Sequence, residues 1–286
     1  MEKIAVVTGA TSGIGLATVQ ALAEQGARVL GVGRDAAKCE AAESFLRAAV
    51  PGAEVRYDPC DLSSQAQIRG LGRALREALP RVDILVHAAG CVSSYFMATE
   101  DGIELQFAVN HLAPFLLTHE LMGHLAKSEG ARMVIVSSGS HYHTRLDFSD
   151  LQMRRHYRCL SQYKRVKLCN VLFAAELDRR FSALRSFAMD PGLVRTEIGL
   201  KGTSGIEKFV WRRRMKHGVD PSVPADAIAF LALDPGMAMW RGGYWKDKAP
   251  KDPNPRALGR EDARALWEAS LRFTGIREYG ILDENE

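Results

Sequence analysis

Tyr163 and Lys167 lie four residues apart, and a Ser137-Ser138 pair precedes them, with 25 positions (163 − 138) separating Ser138 from Tyr163. Residues four apart share one face of a helix, so a lysine ammonium can lie beside a bound cofactor while the phenol points at a substrate. Together they suit proton donation in carbonyl chemistry. Tyr-x-x-x-Lys by itself recurs by chance in long helices, so the elements that would position it decide its meaning.

Those elements are legible in the hydrophobic pattern. Short β-branched runs at 4–8, 27–32, 54–57, 82–87, 133–137 and 185–189 read as strands, and amphipathic runs near 14–25, 37–49, 65–79, 102–125, 161–181, 225–233 and 261–273 read as helices. Ile84-Leu85-Val86 and Met133-Val134-Ile135-Val136 are continuously apolar, as parallel strands buried on both faces require. The expected fold class is therefore α/β, a doubly wound parallel sheet (Rossmann fold) in a single domain over 1–286. Residues 139–158 form a long irregular stretch rich in His, Tyr and Arg, expected to wall a substrate pocket. A Gly-rich, basic stretch gives a substrate loop at about 198–222, and a C-terminal extension at about 235–286 carries a Pro-rich loop at 249–255.

Bulk properties narrow the function classes. A net charge of only +4 is too mild for nucleic acid without a clustered patch. Five cysteines, odd in number, dispersed and never spaced as Cys-x-x-Cys, suggest neither a disulfide framework nor a metal site. Reduced thiols fit a cytoplasmic setting. The chain enters a strand-like run at once, without a charged-then-apolar leader, and holds no apolar run of membrane-spanning length.

The first strand runs straight into Gly9-Ala10-Thr11-Ser12-Gly13-Ile14-Gly15, which opens the first helix. Glycines there admit positive φ and let backbone amides approach a pyrophosphate, which gains from the helix N-terminus. A tight βα turn without ligand is the alternative. Nineteen residues on (34 − 15), the second strand ends at Gly33-Arg34-Asp35, where such folds tell a ribose 2′-hydroxyl from a 2′-phosphate. Gly33 would not repel a phosphate and Arg34 is a planar cation suited to one, which favours NADP (NADPH) over NAD. Arg34 could instead be a solvated cap, and Asp35 could serve the hydroxyl if the register slips.

These residues resemble the short-chain dehydrogenase/reductase family, and the similarity covers nearly the whole chain. Asp101-Gly102-Ile103-Glu104, Val109-Asn110-His111-Leu112, Phe115-Leu116-Leu117-Thr118, Val136-Ser137-Ser138, Lys167-Leu168-Cys169-Asn170 and Asp190-Pro191-Gly192-Leu193-Val194-Arg195-Thr196 look like the retinol dehydrogenase and WW-domain-containing oxidoreductase subgroup. So do the 25-residue interval and the tail around Ala265-Leu266-Trp267. The resemblance implies a catalytic set of Asn110, Ser138, Tyr163 and Lys167. In it Ser138 orients the substrate oxygen, Tyr163 exchanges a proton with it, Lys167 favours the phenolate and bonds the nicotinamide ribose, and Asn110 holds a water that links Lys167 to solvent. It further implies Asp61 and Leu62 at the adenine, Ala89 and Gly90 in the turn flanking it, and Pro191, Gly192, Val194 and Thr196 at the nicotinamide.

The expected activity is NADP-preferring interconversion of an alcohol and an aldehyde or ketone on an apolar substrate. Reduction of a carbon-carbon double bond by the same Tyr-Lys pair is the enzymatic alternative, and a non-catalytic NADP-binding regulator or scaffold is the other. Peripheral membrane contact through the basic residues Lys208 to Lys216, and a homodimer, stay open. The family's usual Asn-Asn-Ala-Gly appears here as His87-Ala88-Ala89-Gly90, which predicts altered packing at the centre of the sheet before altered chemistry. The subgroup's membrane anchor has no expected counterpart. His141 and His143 look like a metal pair but lack a third ligand, and are expected in a solvated or substrate-lining loop.

Overall fold

A computed structural model describes residues 2–196 and 217–281. In chain order β1 (Ile4–Thr8) leads to α1 (Gly13–Glu24), β2 (Arg28–Gly33), α2 (Ala36–Ala49), β3 (Val55–Pro59), α3 (Gln65–Ala78) and β4 (Ile84–His87). Then follow α4 (Leu105–Phe107), a π-helical turn (Ala108–Leu112), α5 (Ala113–Ala126), β5 (Ala131–Val136), α6 (Cys159–Arg180) and β6 (Leu184–Met189). The chain closes with α7 (Ser222–Leu233), β7 (Tyr244–Lys246), β8 (Ala249–Pro250) and α8 (Arg260–Thr274). Among the described residues the strands form one sheet in the order β3-β2-β1-β4-β5-β6-β7-β8, parallel throughout except for β7 against β8.

Every residue of β1, β4 and β5 is buried, as continuous apolar runs in a sheet covered on both faces must be. One apolar layer, including Leu85, Phe107, Phe115, Leu172 and Trp267, lies beneath α3, α5, α6 and α8. The other, including Val7, Leu22, Leu46, Phe187 and Ile228, lies beneath α1, α2 and α7. The strand order reverses direction between β1 and β4, and in sheets of this kind ligands bind outside the carboxyl ends of the strands at that switch point.

Three elements differ from the sequence reading. The helix expected from residue 102 starts at Leu105, because the Glu104 carboxylate caps it by accepting from the backbone N–H groups of Gln106 and Phe107. That helix then widens into a π turn. Asn110 Nδ2 donates 2.8 Å to the Gln106 carbonyl, the acceptor that the backbone N–H of Asn110 would use in an α-helix, so the ladder shifts and Ala113 N–H reaches Ala108 O. The Pro-rich loop contains β8, which hairpins onto the unforeseen β7. Much of the expected 198–222 loop, with Lys208 to Lys216, lies outside the described residues. In the segment that follows Pro191-Gly192, Val194 makes a parallel bridge with Val219.

Candidate active site

The carboxyl ends of β1, β2 and β4 open onto a cavity of about 430 Å³ lined by Gly9, Thr11, Ser12, Gly13, Ile14, Gly15, Arg34, Asp61, Leu62, Ala89, Gly90 and Thr196. These are twelve of the expected nucleotide contacts, gathered at the switch point. The glycines are needed where they stand. At φ +68°, a Cβ on Gly9 would sit 2.6 Å from Ala89 Cα, and one on Gly15 would collide with the Gly9 carbonyl. Ser12 starts α1 without a side-chain cap, so the first N–H groups of the helix are left to face the cavity that Gly13, Ile14 and Gly15 line. The cradle fits a dinucleotide pyrophosphate.

Gly33 is explained differently from the sequence reading. Its missing side chain makes room for the Thr11 methyl and the Cys39 sulfur, which a Cβ would strike, so packing alone demands it. Arg34 is exposed on the cavity wall. Asp35 turns away to cap α2, accepting from Lys38 N–H at 3.1 Å. Asp61 folds back on Ser63, accepting from its N–H and hydroxyl at 2.9 and 2.8 Å. Pro191, Gly192 and Val194 do not line the cavity; only Thr196 of that segment does.

Beyond the β4 turn stand the four expected catalytic residues. Ser138 follows β5, and its side chain acts on the Tyr163 phenol, opposing the rise in its pKa. Lys167 lies one turn further along α6, with Nζ 5.6 Å from the Tyr163 ring centre and donating 3.0 Å to Val136 O. Ser137 Oγ donates 2.8 Å to Lys167 O, fixing the helix against the end of β5. Asn110 sits across from them, its Nδ2 donating to Cys91 O at 3.0 Å and its Oδ1 accepting from Cys91 N–H at 3.3 Å. Its side chain is thus spent on the turn after β4 and on Gln106.

Burial pushes Tyr163 up to about 12, with the Ser138 hydrogen bond opposing and Asp190 and Cys91 adding to the rise. Burial also brings Lys167 down to about 8, with Cys91 opposing. Burial thus favours the protonated form of Tyr163. Cys91 lines the cavity and acts on the titration of both groups, whereas Tyr163 and Lys167, expected to touch the cofactor, do not line it themselves.

Sequence reasoning missed several neighbours. Val92, Met97, Leu105 and Val109 give the cavity an apolar side, and no spacing rule marks them. His141 is buried, not solvated: its ring nitrogens bond Ser138 O and Asn254 N–H, leaving neither for a metal. His143 is exposed. At strand β4, His87 is buried and pairs with Thr118 Oγ1 at 2.9 Å.

A switch-point cradle for a dinucleotide beside a Ser-Tyr-Lys cluster defines a nicotinamide-dependent oxidoreductase of the doubly wound class. Residues 3–146 match the short chain dehydrogenase family model. Retinol dehydrogenase 13 of Homo sapiens is 35% identical, over 99% of this chain and 87% of that protein. Retinol dehydrogenase 12 of Bos taurus is also 35% identical, over 96% and 87%. Among solved structures, an uncharacterized protein from Mycobacterium Paratuberculosis superposes with a TM-score of 0.76 at 28% identity, over 96% of this chain and 93% of that one. An alcohol dehydrogenase from the archaeon Thermococcus sibiricus shares the fold, with a TM-score of 0.67 at 22% identity, over 88% and 100%. The chain belongs to the short-chain dehydrogenase family and is an NAD(P)-dependent oxidoreductase. Within the family its relatives put it in the retinol dehydrogenase-like subgroup. No helix among the described residues is long and apolar enough to cross a membrane.

Proposed function

We propose that this chain interconverts an alcohol and an aldehyde or ketone on an apolar substrate, with NADP preferred over NAD. The observation that carries the reading is the Lys167 ammonium beside the Tyr163 ring, with Ser138 acting on that phenol from just beyond β5. When bound, the nicotinamide supplies or takes up the hydride. Ser138 and Tyr163 converge on the substrate oxygen. In reduction Tyr163, held protonated by burial, donates to the nascent alkoxide, and the Lys167 ammonium stabilises the phenolate left behind. Oxidation reverses the proton's path.

Support for NADP comes from Arg34 standing exposed at the cavity wall while Asp35 is engaged at the α2 cap. An apolar substrate agrees with Val92, Met97, Leu105 and Val109 along the cavity, and with relatives named for retinol. The test is NADPH consumption over a panel of aldehydes, ketones, steroids and retinoids, with products identified by mass spectrometry. Alcohol products are expected; a saturated carbonyl product would point instead to double-bond reduction. Tyr163→Phe is expected to abolish turnover while NADPH still binds, and comparable activity in that variant would remove Tyr163 from the mechanism.

A further inference from the structure

Ser138 lies just beyond β5, where the strand ladder no longer holds it, yet proton transfer needs its hydroxyl fixed. Its carbonyl accepts from His141 Nδ1 at 2.7 Å and from His141 N–H at 3.2 Å. With Nδ1 as donor, Nε2 keeps a lone pair, and that lone pair accepts from Asn254 N–H at 3.0 Å. Asn254 is itself buried. Its Nδ2 reaches the carbonyls of His141, Tyr142 and Thr144 at 2.8, 3.1 and 3.1 Å, and its Oδ1 accepts from Arg256 N–H at 3.0 Å.

A second strut runs in parallel. Asp190 Oδ1 accepts from Gly139 N–H and Gly192 N–H, both at 3.0 Å, joining the loop after Ser138 to the loop after β6. Its Oδ2 accepts from Lys251 Nζ at 2.9 Å, and that ammonium lies over the Tyr142 and Tyr244 rings. Lys251 and Asn254 follow β8, more than a hundred residues from the loop they hold.

We propose that residues 251–254 of the C-terminal extension are a strap that positions Ser138, acting through His141 and Asp190. The proposal rests on the reading of Ser138 as the group that orients the substrate oxygen. His141, Asn254 and Lys251 are positioning residues; none of them needs to touch the substrate. A misplacement of about 1 Å at a reacting group can cost on the order of a hundredfold in rate, so the strap bears directly on turnover.

An amide at 141 can replace only one ring nitrogen at a time, which gives the test. His141→Asn puts its amide near the Nδ1 position and keeps the hold on Ser138; His141→Gln reaches the Nε2 position and keeps only Asn254. With NADPH and nonanal as probe, His141→Gln and Asn254→Ala are expected to lose roughly tenfold in kcat, with the NADPH Kd within about twofold of wild type. His141→Asn should stay within about threefold of wild-type kcat. Equal loss in the two His141 variants, or a lowered Tm with kcat unchanged well below it, overturns the proposal. If wild type leaves nonanal untouched, the reaction reading is what fails, and crystal structures of the same variants decide the strap. Ser138 Oγ is expected to leave hydrogen-bond range of Tyr163 in His141→Gln and to stay in His141→Asn. An unmoved Ser138 in His141→Gln overturns it. Should that variant not fold, Asn254→Ala is read in the same way.

Discussion

Acidification tests the interior that supports the site. His87 and His111 are buried, and burial brings each down to about 3. His111 shows why. Ser270 Oγ gives its proton to Leu266 O, so it accepts from His111 Nε2–H, and His111 Nδ1 is left without a partner. A proton there would be a buried, unpaired charge. The folded state keeps both rings neutral, while the unfolded chain protonates them at the ordinary pKa of about 6.5. Folding free energy from this source is therefore fully present above pH 6.5 and drains as pH falls toward 3. Between pH 7.5 and 5 each ring costs about 2 kcal/mol, so the pair costs about 4 kcal/mol, and the slope approaches about 1.4 kcal/mol per pH unit per ring. That is a large share of the roughly 5–15 kcal/mol by which such domains are stable. Urea unfolding across this pH range measures the loss. His87→Asn removes one titrating group and should lower the slope by about 1.4 kcal/mol per pH unit, whatever it does to absolute stability. An unchanged slope in the variant, or a native His87 resonance titrating near pH 6.5 by NMR, would refute the argument.

The nucleotide cradle gives two more predictions. Arg34→Ala should raise the KM for NADPH about tenfold or more, the worth of a charge-assisted contact, and leave NADH little changed; a higher kcat/KM with NADH than NADPH in wild type would sink the cofactor preference. Gly15→Ala drives a Cβ into the Gly9 carbonyl, so loss of dinucleotide binding by fluorescence titration is expected, with a lowered Tm; wild-type binding in that variant would mean that the turn is not the cradle.

The sequence by itself determined the alternation of strands and helices up to β6, the Gly9-Gly13-Gly15 turn and the Tyr163-Lys167 pair, because each depends on local periodicity or a short fixed spacing. Buried parallel strands must be apolar throughout, and side chains four apart on α6 must share a face. Tertiary structure alone decided what joins segments distant in the chain. The role of Asn110 in opening the π turn and bracing Cys91, the packing demand at Gly33, and the hold of Asn254 on the loop after Ser138 all depend on groups meeting through folding. The same holds for charge. Spacing can bring a lysine to a tyrosine, but the burial that holds Tyr163 protonated and weakens Lys167's grip on its proton comes from how the layers close around them.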